Sequence, residues 1–231
     1  MRREIKTSPT QGALEVQSLC DRLLHMGLKV QAMISGSMRA LAERNSQLAM
    51  VLIAADHDVN RLELSTDQMC LRILARRQPV ASELRTVASC VKMVTDLERI
   101  GDLAVHICEQ VLRLDAEPVH ELDTELWSLG EHAQGMVRDA LSAFRLRDAQ
   151  AARRVVQQDA QVGACFDRVF RRSVQVMIED TNELLRVHQL QSVATRLRQI
   201  GDHAKNLAQM VIFMVEGRDV RHLPAATRSG V

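Results

Sequence analysis

Glu98, Asp102 and His106 stand four residues apart in the stretch "TDLERIGDLAVHI", Thr95 to Ile107. On an α-helix residues four apart lie about 40° from one another, so the three side chains form one drifting stripe. Two carboxylates and an imidazole so arranged can share a cation. The oxygens suit hard ions such as Mg, and the imidazole tilts the preference toward Mn, Fe or Zn. One hundred residues later "TRLRQIGDHAKNL" repeats the pattern, with Arg198 in place of Glu98 and Asp202 in place of Asp102. Gly101 and Gly201 are the strongest part of the repeat. A helical glycine costs about 1 kcal/mol relative to alanine, so finding it twice points to a neighbour close to the backbone. Spacing alone is thin evidence, because the chain holds five acidic pairs at spacing four, including Glu63/Asp67, Glu121/Glu125 and Glu179/Glu183. Most such pairs are solvated helix faces.

The neighbour can be named from the same pattern. Asp56 and Asn60 lie four apart on the preceding helical stretch, and antiparallel packing is expected to bring them beside Glu98 and Asp102. The equivalent four positions in the second half hold Asp159, Gly163, Arg198 and Asp202. A guanidinium between two aspartates does electrostatically what a cation would do, without a metal. The expectation is an ion-binding constellation in the first half and an internal salt bridge in the second. A reading of both as purely structural charge clusters is equally open at this point. Asp96, about 200° round the helix from Glu98, is expected to be a surface charge, and His203 an ordinary, partly exposed histidine.

The elements that must position these residues are helices. Four prolines and ten glycines in 231 residues leave long runs of Ala, Leu, Met, Arg, Gln and Glu, with apolar residues recurring at three and four. No alternating β-branched stretch suggests a strand. Punctuation predicts six helices: Leu14 to Glu43, Gln47 to Ala75, one entered at Pro79 and ending near Leu114, Glu121 to Arg145, Asp148 to Glu179, and Asn182 to Glu216, with Gly217 as a C-cap. "DAEPVH" is the linker. At an offset of 103, Met33 maps on Met136, Ala40 on Ala143, Leu41 on Phe144, Ala49 on Ala152 and Asp56 on Asp159. The fold class is all-α, two similar three-helix bundles of antiparallel helices, residues 10–116 and 119–217, end to end or side by side, with a mobile tail over 218–231.

Composition narrows the functions. Thirty basic residues balance twenty-nine acidic ones, there is no tyrosine, and five aromatic residues cannot build a base-stacking platform. Nucleic-acid binding is excluded. No apolar run follows the basic start, so no secretory signal is expected, and the longest apolar run, "LAMVLIAA", is too short to span a bilayer. Cys20, Cys70, Cys90, Cys108 and Cys165 are odd in number and unpaired in spacing. They read as reduced, buried thiols in a cytosolic protein, the alternative being a reactive thiol. Eleven methionines read as adaptable core filling.

"LERIGD", the "RRQPVASELR" junction, "ADHDVN" before it and the closing "VEGRDVRH" resemble the PhoU family, regulators of bacterial phosphate uptake and signalling, over Leu14 to His222. The resemblance implies the two-bundle fold and no catalysis. It implies a cytoplasmic adaptor that couples a phosphate ABC transporter ATPase to a membrane sensor histidine kinase, lowering the phosphate-starvation response when phosphate is plentiful. Association with the inner membrane would then be peripheral, through those partners, and homodimerisation is expected. It further implies metal ions at paired acidic motifs on the second and third helices of a bundle. Carried over, these fall on Asp56 with Asn60 and on Glu98 with Asp102, for a divalent or ferric ion (Fe, Mn, Zn or Mg). Their second-half counterparts are Asp159 with Gly163 and Arg198 with Asp202. Gly163 offers no ligand and Arg198 repels a cation, so a metal is expected in the first bundle only.

Two rivals remain. A carboxylate-bridged di-metal enzyme in a helix bundle wants Glu-x-x-His on each of two helices, and the single match is Glu117/His120, interrupted by Pro118. A coiled-coil scaffold would not need an acidic stripe beside a repeated glycine.

Overall fold

Good helix formers running for thirty residues without a proline give helices of that length. The computed structural model describes residues 11–76, 81–114, 118 and 120–220. It consists of α1 (Gln11–Glu43), α2 (Ser46–Arg76), α3 (Ala81–Arg113), α4 (Leu122–Leu146), α5 (Ala149–Glu179) and α6 (Leu184–Glu216), with a short 3₁₀ turn at Thr181–Glu183 ahead of α6. No strand occurs among the described residues. The longest helices have 33 residues, about 50 Å. The ends fall within three residues of the expected ones. At α6 the difference has a local cause: the Asp180 carboxylate accepts from Asn182 N at 2.9 Å and tightens the entry into the 3₁₀ turn before the helix begins. The expected tail lies, from residue 221 onward, outside the described residues, as does Glu117.

The internal duplication is written in backbone hydrogen bonds. Arg44 closes α1 in the left-handed region at φ 49, and Asn45 N reaches back to Ala40 O at 2.9 Å. Arg147 closes α4 at φ 51, and Asp148 N reaches Ala143 O at 3.0 Å. Each pair of residues is 103 apart. The next residue in each corner caps the following helix: Asn45 Oδ1 accepts from Leu48 N, and Asp148 Oδ1 from Gln150 N and Ala151 N, all at 2.9 Å. Gly217 ends α6 at φ 73, its N–H on Phe213 O at 2.8 Å.

α1, α2 and α3 pack on one another, as do α4, α5 and α6, and α1 meets α4 while α3 runs along α6. The halves are therefore side by side, and one apolar core runs through both. The α1–α4 contact shows how the duplication packs on itself. A methyl on Gly27 would lie 2.6 Å from Leu141 Cδ1, and one on Gly130 would lie 2.7 Å from Met38 Cε. Under the 103-residue offset Gly27 maps on Gly130 and Met38 on Leu141. The same contact is made twice, once from each side, as across a twofold axis. α2 and α5 pack on the outside of this four-helix seam, so their inner faces are the only ones covered. They are the helices that carry the first acidic motif of each half.

Candidate functional site

α2 turns Asp56, Asn60, Glu63 and Asp67 toward α3 because their spacing of four, three and four follows one helix face. A methyl on Gly101 would lie 3.5 Å from Asp56 Oδ1 and 3.5 Å from Val59 Cγ1, which puts Asp56 against the α3 backbone. Asn60 Nδ2 donates to Asp56 Oδ2 at 2.8 Å. Asp56 Oδ1 and Asn60 Oδ1 are buried and have no hydrogen-bond partner. On α3, Glu98 and Asp102 stand one turn apart, and Arg99 leans over both, Nε 3.5 Å from Glu98 Oε2 and Nη1 3.2 Å from Asp102 Oδ2. The structure thus brings Asp56 and Asn60 of α2 against α3 beside Asp102, at a groove whose α3 side continues one turn back to Glu98.

The electrostatics are those of crowded, half-dehydrated acids. Burial pushes the Asp56 carboxyl above the usual aspartate range, the Asp102 charge adds to this, and the Asn60 amide works against it. Glu98 is raised by burial and then by Asp102, with Arg99 opposing. Glu63 is raised by burial, then by Asp67, and Asp67 by burial alone. Asp67 Oδ1 is also buried without a partner. The groove therefore holds five carboxylates beside one guanidinium. Among the described residues no group of three or more His, Cys, Asp and Glu side chains is arranged so that it could hold a metal ion. Arg99 occupies the place where the α3 carboxylates would meet a cation.

Glu63 and Asp67 belong to the groove although their pairing reads as a solvated face. The signal that finds them is the continuous register 56, 60, 63, 67 along α2. His106, expected on the stripe, does not join it: the side chain is exposed and its Nδ1 lies 2.7 Å from the Asp102 carbonyl one turn back.

In the second half Arg198 Nη1 lies 2.8 Å from Asp159 Oδ1 and 2.8 Å from Asp202 Oδ1, and Lys205 Nζ is 2.6 Å from Asp159 Oδ2. Two cations thus meet two aspartates. A methyl on Gly163 would touch nothing within 4 Å, whereas one on Gly201 would meet Val162 Cγ1 at 3.0 Å. Close approach explains the glycine at 201 and not the one at 101, where the contact is ordinary.

Asp96 is corrected by the structure. It is not a surface charge: its side chain is 16% exposed and accepts from His203 Nδ1 at 2.8 Å and from Asn206 Nδ2 at 3.3 Å. The side of α3 opposite Glu98 is the side that packs on α6, so both faces of this helix are covered. His203 is the cross-bundle partner. His120 serves structure: its Nδ1 accepts from Leu122 N at 3.1 Å and its Nε2 lies 3.8 Å from Glu183. No helix of the described chain is long and apolar enough to cross a membrane.

A family model described as the PhoU domain matches the chain twice, over residues 23–111 and 126–211, one copy per bundle. A phosphate-specific transport system accessory protein PhoU homolog of Pseudomonas putida is 39% identical over 210 residues, covering 90% of this chain and 82% of that one. The crystal structure of PhoU from Pseudomonas aeruginosa superposes with a TM-score of 0.87 at 37% identity, covering 90% of this chain and 100% of that one. A phosphate transport system regulatory protein PhoU from Streptococcus pneumoniae superposes with a TM-score of 0.84 at 27% identity, covering 91% and 99%. Two family domains in tandem, each laid over one three-helix bundle, span the duplication that the corners and the α1–α4 contact reveal, and the chain belongs to the PhoU family.

Proposed function

We propose that this chain is an accessory protein of phosphate-specific transport. In this reading it acts without catalysis, in the cytoplasm, by coupling a phosphate ABC transporter ATPase to a sensor histidine kinase so that phosphate-starvation genes are repressed in plenty. The observation that carries the reading is the match of relatives named for phosphate-specific transport across 90% of the chain. An adaptor needs surface for partners. The outer face of α5 carries an apolar stripe, Phe170, Val174 and Ile178, one turn apart and 49%, 40% and 76% exposed, of the kind partner recognition uses. Homodimerisation belongs to the proposal, and light scattering on the purified chain tests it.

A divalent or ferric ion (Fe, Mn, Zn or Mg) in the first bundle is the second part. Asp56, Asn60, Glu98 and Asp102 are the residues that would hold it, and the two buried, unpartnered oxygens of Asp56 and Asn60 fit a hard cation. Arg99 has to give up Glu98 and Asp102 for such binding, so the ion and the guanidinium compete. In the second bundle Arg198 and Lys205 already fill the equivalent place. The ion would supply charge neutralisation and a link between α2 and α3.

The decisive experiment deletes the gene and measures phosphate-starvation genes in phosphate-rich medium, with a pull-down of the tagged chain probed for the transporter ATPase and the kinase. Derepression and co-purification are expected. Normal repression in the deletion strain overturns the reading. A carboxylate-bridged metalloenzyme is the alternative, and oxygen consumption by iron-loaded protein above that of free iron would favour it.

A further inference from the structure

Two clefts open along the α1–α4 seam, and the duplication makes them twins. Leu41 and Ala42 of α1 with Asp123 and Thr124 of α4 line the first, a space of about 270 Å³. Cys20 and Asp21 of α1 with Phe144 and Arg145 of α4 line the second, of about 140 Å³, and Gln17 and the corner residue Arg147 are on its wall as well. Under the 103-residue offset Leu41 maps on Phe144, Ala42 on Arg145, Cys20 on Asp123 and Asp21 on Thr124. Arg44 maps on Arg147, and both hold the left-handed corner after their helix.

The twins differ in charge. In the first, Arg44 is drawn onto Asp123 at 2.7 Å, and the pair neutralises itself. In the second a thiol stands where that carboxylate would be, and Arg147 lines the cleft instead. Arg145 adds another guanidinium where the first cleft has only the methyl of Ala42. Among the described residues neither Arg145 nor Arg147 forms an ion pair. On the α1 wall the Asp21 carboxylate accepts from Gln17 Nε2 through Oδ1 at 2.9 Å, which leaves Oδ2 for a ligand. Two guanidinium forks suit a tetrahedral oxyanion. The carboxylate decides which one. It repels an oxyanion that has no proton, and it accepts a hydrogen bond from one that keeps an O–H. Inorganic phosphate keeps a proton at neutral pH, and sulfate does not. The space is several times the volume of about 30 Å³ that a water molecule takes up in the liquid, enough for such an ion.

We propose that this cleft binds inorganic phosphate: Arg145 and Arg147 donate to its charged oxygens, and Asp21 Oδ2 accepts from its hydroxyl. The bound ion bridges α1 to the end of α4 at the junction of the two halves. It supplies there the neutralisation that the Arg44–Asp123 pair supplies in the first cleft. The site goes beyond an adaptor role, since the chain would then meet phosphate itself as well as partners.

The test is isothermal titration calorimetry of the purified full chain with sodium phosphate and with sodium sulfate, at constant ionic strength. The protein is first treated with EDTA, so that phosphate held by a metal is not counted. Expected is saturable binding of one phosphate per chain, with sulfate weaker on the order of tenfold. Arg145→Gln and Arg147→Gln should each weaken phosphate on the order of tenfold. Asp21→Asn should bring phosphate and sulfate close together, and Arg154→Gln, exposed and outside the cleft, should change neither. Asp21, Arg145 and Arg147 are exposed, so folded variants are expected, and melting curves check this. Should Arg147→Gln fail to fold, Arg145→Gln and the sulfate comparison decide. No saturable phosphate binding in the millimolar range, sulfate bound as well as phosphate by the wild type, or binding indifferent to both arginine variants would each overturn the proposal. The binding is read on the isolated chain, so its outcome is separate from repression in the deletion strain.

Discussion

Arg44 Nη2 lies 2.7 Å from Asp123 Oδ2, with side chains only 9% and 11% exposed, and so clamps the end of α1 to the first turn of α4. Arg44 also donates from Nη1 to Leu41 O, and Asp123 Oδ2 accepts from His120 N at 2.7 Å. Removing one partner strands the other in a place that water scarcely reaches. Arg44→Ala is expected to lower stability by about 3 kcal/mol. Arg44→Met with Asp123→Leu should lower it less than either alanine substitution does alone, because no charge is left behind. Urea unfolding of the three variants checks this, and an unperturbed midpoint for Arg44→Ala would refute it.

The glycines separate into required and tolerated. Leu141, 4% exposed, has no room to move away from a methyl on Gly27, so Gly27→Ala should destabilise by about 1–2 kcal/mol despite its better helix propensity. Gly163→Ala meets open space and should stabilise by about 0.5–1 kcal/mol. Opposite shifts in melting temperature are the expected readout, and a gain for both would mean that α1 and α4 part easily.

Most of this architecture was legible before any coordinates, and the reason is local. Helix length, the Asn45 and Asp148 corners and the Gly217 cap are set by residues within a turn of one another. The approach of Asp56 to α3 beside Asp102 was legible because two stripes on neighbouring helices have one way to meet. Asp96 was not. Its environment depends on which side of α3 faces the other half, and a helix covered on both sides hides that choice in its own pattern. Glu63 and Asp67 were missed for a related reason, since burial by a neighbouring helix turns an ordinary acidic pair into a dehydrated one.

Arg198 joins Asp159 and Asp202 where an ion would otherwise be wanted. Arg198→Ala leaves Asp159 with Lys205 and leaves Asp202, half exposed, to solvent. A loss of about 1–2 kcal/mol is expected, less than for the buried Arg44 pair. A double-mutant cycle with Asp159→Asn measures the coupling. No coupling would mean that Arg198 is held by packing alone.

The acidic groove makes stability depend on pH in a direction opposite to that of a salt bridge. Asp56, Glu63, Asp67 and Glu98 all have carboxyls raised by burial. The folded chain therefore holds protons that the unfolded chain has released, over the window from the ordinary carboxylate range, about 4, up through the raised values. Stability contributed by these groups is full below that window and is lost as pH rises through it. Lowering the pH from 7 through that window should raise the melting temperature, and Asp56→Asn should flatten the rise. Glu216, held low by its two-pronged contact with Arg153, acts only at more acidic pH and does not mask the effect. An ion in the groove would do at neutral pH what protons do in acid. Manganese should raise the melting temperature at pH 7.5 and progressively less as the pH falls through that window. Arg99→Ala should strengthen that response by freeing Glu98 and Asp102, and Asp102→Ala should abolish it. A manganese effect indifferent to both substitutions would remove these residues as ligands while leaving the proton dependence intact.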